Sequence, residues 1–191
     1  YSAVRRDLLA QWLAAKRLFD DYSEVVVWSE EIFNCFLSLL NQKSSSHYLF
    51  DTLITTKLFT TLLRNPEAQK ALVASKGNTY RQYLFPVLNE GGYLTMYLVT
   101  PEEKQLTIFS NQASKIDQGI INSIIEIFSN EGEQFNITEI SENLRVLEVG
   151  VIKICARIET IVNNLSPEDA KSEANMREVL INSFMFGHLI E

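Results

Sequence analysis

Apolar residues recur between residues 136 and 165 at alternating steps of four and three: Ile140, Leu144, Leu147, Val151, Ile154, Ile158, Ile161 and Leu165. This spacing keeps one stripe of a helix apolar, and no strand uses it. Ile152, Cys155 and Val162 widen the stripe, so the helix is expected to be covered along more than one edge. Asn136 with Glu139 reads as an N-cap and its reciprocal carboxylate, and Ser166-Pro167 as the stop. The segment is read as the central core helix. A self-associating coiled-coil seam is the alternative, and the apolar flanks argue against it.

The rest of the chain continues the helical theme. Val4, Leu8, Leu9, Trp12, Leu13, Leu18 and Phe19 make an amphipathic helix of residues 2–22. Val25-Val26-Val27-Trp28 has strand propensity. Helix is still preferred over 23–42, because Ile32, Phe33, Phe36, Leu37 and Leu40 hold helical spacing and Ser29-Glu30-Glu31 caps a restart. A third helix is expected over 47–64, with Tyr48, Leu49, Leu53, Ile54, Leu58, Phe59, Leu62 and Leu63 buried. Its threonines at 52, 55, 56, 60 and 61 are poor helix formers, so packing must hold it. Asn65-Pro66-Glu67 opens a short helix to about Ser75. Residues 113–130 form another, with Ile116, Ile120, Ile121, Ile124, Ile125, Ile127 and Phe128 around it. A last helix starts at Ser166-Pro167-Glu168-Asp169 and runs through Met176, Val179, Leu180, Ile181, Phe184 and Met185.

One stretch departs from this pattern. Tyr80 to Leu88 is aromatic and interrupted by Pro86, and Glu90-Gly91-Gly92 is a turn. The runs 93–99 and 105–109 then flank Thr100-Pro101-Glu102-Glu103-Lys104, which predicts a β-hairpin. An isolated hairpin is only marginally stable, so it must pack on helices or pair with another strand. Without a third strand its edges would be open to a partner.

Composition adds limits rather than a function. The chain has 191 residues, 46% hydrophobic and 21% charged, which is the ordinary globular class. Seven glycines and four prolines are few for an all-β protein. Residues 1–100 carry ten basic against nine acidic side chains, whereas residues 101–191 carry seven against fifteen. The acidic half repels phosphate, so nucleic acid is not an expected partner. A loose resemblance of 138–161 to winged-helix helices meets the same objection, since Glu139, Glu142 and Glu148 occupy the surface in question. Cys35 and Cys155 read as buried, reduced thiols, which fits a cytoplasmic rather than a secreted protein. No signal peptide or membrane-spanning run is present in the sequence given.

No catalytic constellation is visible. His47 and His188 lack companions at metal-ligand spacing, so neither a metal nor a cofactor is expected. Gly91-Gly92 lacks the lysine and following helix of a phosphate loop. Cys155 lies in an isoleucine-rich helix, where packing explains it better than nucleophilic chemistry. The motifs at Asn136 and Asn164 match the glycosylation pattern and are discounted.

The sequence therefore predicts a mainly α-helical fold: a multi-helix bundle or short helical-repeat-like array of about six or seven helices with one central hairpin. It is read as one domain over 1–191, cut from a larger protein, with a possible division at 78/79. No repeated signature supports a true repeat array. The expected function is a non-enzymatic interaction, scaffold or regulatory domain for a protein partner or for self-association. Trp12, Trp28, Tyr93, Tyr97 and Phe109 are the candidate contact residues. The alternative is a helical sensor or carrier enclosing an apolar small molecule or lipid.

Overall fold

The computed structural model describes residues 28–76, 79–111 and 115–190. The chain divides into two compact units: one comprises Ser45–Leu144, and the other combines the segment ending at Ser44 with the segment beginning at Arg145. The helix expected over 2–22, with Trp12, and the run Val25–Val27 lie outside the described residues.

The unit Ser45–Leu144 is built on a five-stranded mixed sheet of order β1-β2-β3-β4-β5. Its strands are β1 (His47–Leu49), β2 (Gln82–Leu88), β3 (Leu94–Thr100), β4 (Gln105–Ser110) and β5 (Asn136–Ser141). The expected hairpin is β3–β4, paired antiparallel with Tyr97 opposite Ile108 and Val99 opposite Leu106. A 3-10 turn at Pro101–Glu103 joins the strands, and Lys104 takes the left-handed conformation at φ 50°. Both edges of the hairpin are occupied by strands of the same chain. On one side β2 pairs antiparallel with β3, and on the other β5 pairs parallel with β4. The expectation of a hairpin open to strand addition is corrected accordingly.

Helix α1 (Glu30–Lys43) belongs to the other unit. Three helices belong to this one: α2 (Thr52–Thr56, continued as a π-helix over Lys57–Thr61), α3 (Pro66–Ala74) and α4 (Gln118–Phe128). The core combines Phe50, Leu58, Phe59, Tyr83, Phe85, Tyr97, Val99, Leu106, Ile108, Ile120 and Ile124. Phe50 and Phe85 stack with centroids 4.4 Å apart and planes at 7°. The helix expected from His47 begins instead as β1, parallel to β2. Its inward face is also different: Thr52 and Thr55 are buried, while Leu53 is 70% exposed. The buried threonine has a task there. Thr55 Oγ1 donates to the Pro86 carbonyl at 2.7 Å, beyond the point where β1 has ended. Because that carbonyl faces away from β3, the N–H that proline lacks is missing on the same side, and the β2–β3 ladder loses nothing.

The second unit holds α1 together with α5 (Val146–Val149), α6 (Val151–Val162) and α7 (Glu173–Phe186). Ser29 caps α1 as expected, its hydroxyl accepting from Ile32 N–H at 3.2 Å. Helix α6 packs against both α1 and α7. Ile32, Phe33, Phe36, Val151, Ile154, Ile158, Met176, Leu180 and Phe184 are buried in this unit.

The helix predicted over 136–165 is the largest correction. Asn136 and Glu139 lie in a strand rather than a capping box, and Gly150 separates α5 from α6. Gly150 has φ 85° and ψ 152°, a region that only glycine enters without strain, so no helix runs through it. Only Val151 to Val162 is the continuous helix that the spacing suggested. The last helix likewise begins later than expected. Pro167–Asp169 is a 3-10 turn, and Ser172 caps α7 by accepting from Asn175 N–H at 3.2 Å. A bundle or repeat array with one hairpin is thus not the architecture.

Candidate functional site

The chain carries two thiols, Cys35 and Cys155. Cys35 lies in α1 and Cys155 in α6, and both are fully buried. Burial pushes the Cys155 thiol well above its ordinary range, and the neighbouring Cys35 and Glu159 add to the effect. A thiolate is favoured at the first turn of a helix, where N–H groups point outward. In α6 that turn begins with Val151 after Gly150, and Cys155 stands a full turn further in. Cys155 therefore sits where the neutral form is favoured, and burial denies a substrate access to either thiol.

Glu159 belongs to the same helix and is also buried, forming an ion pair with Lys171. Its second carboxylate oxygen has no hydrogen-bond partner. His47 lies in β1, with Nδ1 3.4 Å from the Ser46 hydroxyl, and burial lowers its pKa below the usual histidine value. His188 follows α7, with Nδ1 3.2 Å from the Phe186 carbonyl oxygen. Among the described residues no group of three His, Cys, Asp or Glu side chains is placed to hold a metal ion.

The expected contact residues fall into separate environments. Trp28 is half-buried, tilted against Phe33 with centroids 5.4 Å apart. Tyr93 is half-buried just before β3, its N–H donating to the Asn89 side chain at 3.0 Å. Tyr97 and Phe109 are core residues at 1% and 5% exposure, so neither meets a partner without the sheet opening. Their expected surface role is corrected by that burial. Alternation along a strand puts every second side chain inward, and the sequence did not reveal that both faces of β3 are covered.

The Ser45–Leu144 unit carries one notable cleft, of about 410 Å³, at the C-terminal end of α4. Glu126, Glu131 and Glu133 line it together with Lys70. Glu133 accepts from Asn130 N–H at 3.1 Å and lies 3.4 Å from Lys104 Nζ, and both hold its carboxyl below the usual range. The cleft is open and lined mainly by polar residues with Ile125, unlike the enclosed apolar space expected of a carrier. The large aromatic residues that suggested such a space fill the core instead: Phe59 and Phe128 pack edge-on against Phe85.

No protein-family model and no curated protein matches the sequence. Solved structures do match. The SUMO protease Ulp1 with its catalytic cysteine oxidised to a sulfonic acid aligns over 96% of this chain and 95% of that one, at TM-score 0.67 and 10% identity. The Ulp1 protease domain in complex with Smt3, the yeast ortholog of SUMO, aligns over 83% and 76%, at 0.63 and 10%. The catalytic domain of the Ulp1-like SUMO protease of Chaetomium thermophilum aligns over 84% and 71%, at 0.56 and 11%. The chain has the fold of the Ulp1-like SUMO proteases.

That finding overturns two expectations together. The helical bundle gives way to a mixed-sheet fold, and the non-enzymatic scaffold, with its carrier alternative, gives way to a fold used by protease catalytic domains. No helix among the described residues is long and apolar enough to cross a membrane.

Proposed function

We propose that this chain acts on a SUMO-like modifier through a peptidase-type domain. The reading is carried by the alignment with Ulp1, which runs over nearly the full length of both chains. The protein partner is inferred from the complex in which the Ulp1 protease domain holds Smt3.

The thiols set a condition on the chemistry. Attack on a peptide carbonyl by sulfur needs a thiolate within reach of the bond and a base to generate it. Cys35 and Cys155 are fully buried, so a thiol route requires their helices to open. Binding and cleavage are therefore measured separately. Purified chain is titrated with a mature SUMO-like protein, and then incubated with a precursor that carries a C-terminal extension. Saturable binding, weakened when the modifier's C-terminal tail is removed, is the expected result; no binding to any SUMO-like protein would sink the proposal. Mass spectrometry of the precursor, with wild type, Cys35→Ser and Cys155→Ser, identifies the nucleophile. Hydrolysis lost only in Cys155→Ser assigns it to that thiol, and hydrolysis kept in both variants assigns it to another group.

A further inference from the structure

We propose that the outer edge of β5 is a docking site for an extended, basic segment of a partner protein, which enters the sheet as a sixth strand. Backbone register sets which groups of β5 face outward. Asn136 stands opposite Gln105 in the parallel pair, and its N–H donates to the Lys104 carbonyl at 2.8 Å. Six positions later the Glu142 N–H donates to the Ser110 carbonyl at 3.0 Å. In a parallel ladder such residues alternate, so Asn136, Thr138 and Ile140 direct both backbone groups at β4. Ile137, Glu139 and Ser141 direct theirs outward, and β5 is the terminal strand of the sheet.

All six residues of β5 are exposed. Natural sheets blunt such an edge with lysine, proline, a bulge or a very short strand. Apart from the charge of Glu139 this strand has no such device: the register with β4 is unbroken, and residues 134–142 contain neither lysine nor proline. Ile137 and Ile140 stand on opposite faces at 42% and 37% exposure, so apolar side chains of an added strand find a neighbour on either face.

Charge selects the occupant. Residues 131–142 hold Glu131, Glu133, Glu139 and Glu142; Lys104 pairs with Glu133 at 3.4 Å, and Glu139 is the carboxylate carried by the strand itself. Glu139 sits in the middle of the outward-facing set. Two-fold antiparallel pairing with a second copy of this chain would set the two Glu139 carboxylates opposite or diagonal to each other, where like charges repel. A lysine- or arginine-bearing strand meets the same carboxylates favourably, with backbone hydrogen bonds supplying affinity and charge supplying selection.

Fluorescence anisotropy with two labelled peptides of equal length tests this, one alternating Lys and Val, the other alternating Glu and Val. The Lys-Val peptide is expected to bind one-to-one and to weaken with salt, while the Glu-Val peptide does not bind. Glu139→Pro removes an outward N–H and leaves the β4 ladder intact, so binding is lost with an unchanged thermal midpoint. Glu139→Lys keeps the backbone and weakens the Lys-Val peptide by about tenfold, a change of about 1.4 kcal/mol. The second variant decides the matter should the first fail to fold. Equal affinity for both peptides, or wild-type affinity in Glu139→Lys, overturns the proposal. So does a dimer of the chain alone, detected by light scattering and abolished by Glu139→Lys.

Discussion

Cys155 and Cys35 lie on helices that pack together, and Cys35 makes the Cys155 thiolate less favourable. Glu159, one turn beyond Cys155, adds a negative charge whose second oxygen is left without a hydrogen bond. Alkylation by iodoacetamide at mildly alkaline pH is therefore expected to be negligible in the native protein and rapid in denaturant. Labelling of the native chain at the rate of a free thiol would contradict the burial described for both cysteines. Both residues are legible in the sequence as buried thiols, because apolar helical spacing around a cysteine reports packing directly. Tyr97 and Phe109 are misplaced by the sequence for the converse reason. A strand pattern shows which residues alternate, and it does not show that both faces are covered.

Between elements, Gly150 has the largest consequence. Helices α5 and α6 are separate because this residue holds φ 85° and ψ 152° between them. Gly150→Ala should destabilise the protein by about 2 kcal/mol, since a Cβ strains that conformation. Were 136–165 one helix, the same substitution would stabilise it by up to about 1 kcal/mol through helix propensity. Chemical denaturation thus reads the architecture from the sign alone. The caps at Ser29 and Asn65, the β3–β4 hairpin and α4 are legible because their signals are local. Strands β1 and β5 are not, since each pairs in parallel with a strand distant in sequence. Asn136-Ile137-Thr138-Glu139-Ile140 does carry β-branched residues at strand density, but the spacing from Ile140 through Leu144 and Leu147 to Val151 continues into α6 and conceals the change. The glycine at 150 is the available warning.

For the molecule as a whole, acid stability should report His47. Burial lowers its folded pKa below the value of about 6.5 that the unfolded chain keeps. Between those two values the unfolded state binds more protons, so stability rises with pH. The contribution is complete above about 6.5 and is lost as pH falls toward the folded value. Glu133 and Glu168, whose carboxyls are held low, lose their contributions only in more acidic solution. The thermal midpoint of wild type should fall as pH drops from about 7 to about 5, and His47→Gln should flatten that slope. An unchanged slope in the variant would place the titrating group elsewhere.

The two ends of the sheet are not equivalent. At one end β1 is three residues long and hands over to a helix whose Thr55 hydroxyl takes the next carbonyl. At the other, β5 runs six exposed residues, and no further strand among the described residues pairs with its outer edge. Propagation by strand addition requires an acceptor and a donor edge on every molecule, and a short, helix-terminated end does not serve as the second. Growth at β5 is therefore a single event that ends with one added strand. Occupancy of that edge saturates at one per chain, and the same geometry that invites a partner also prevents a filament.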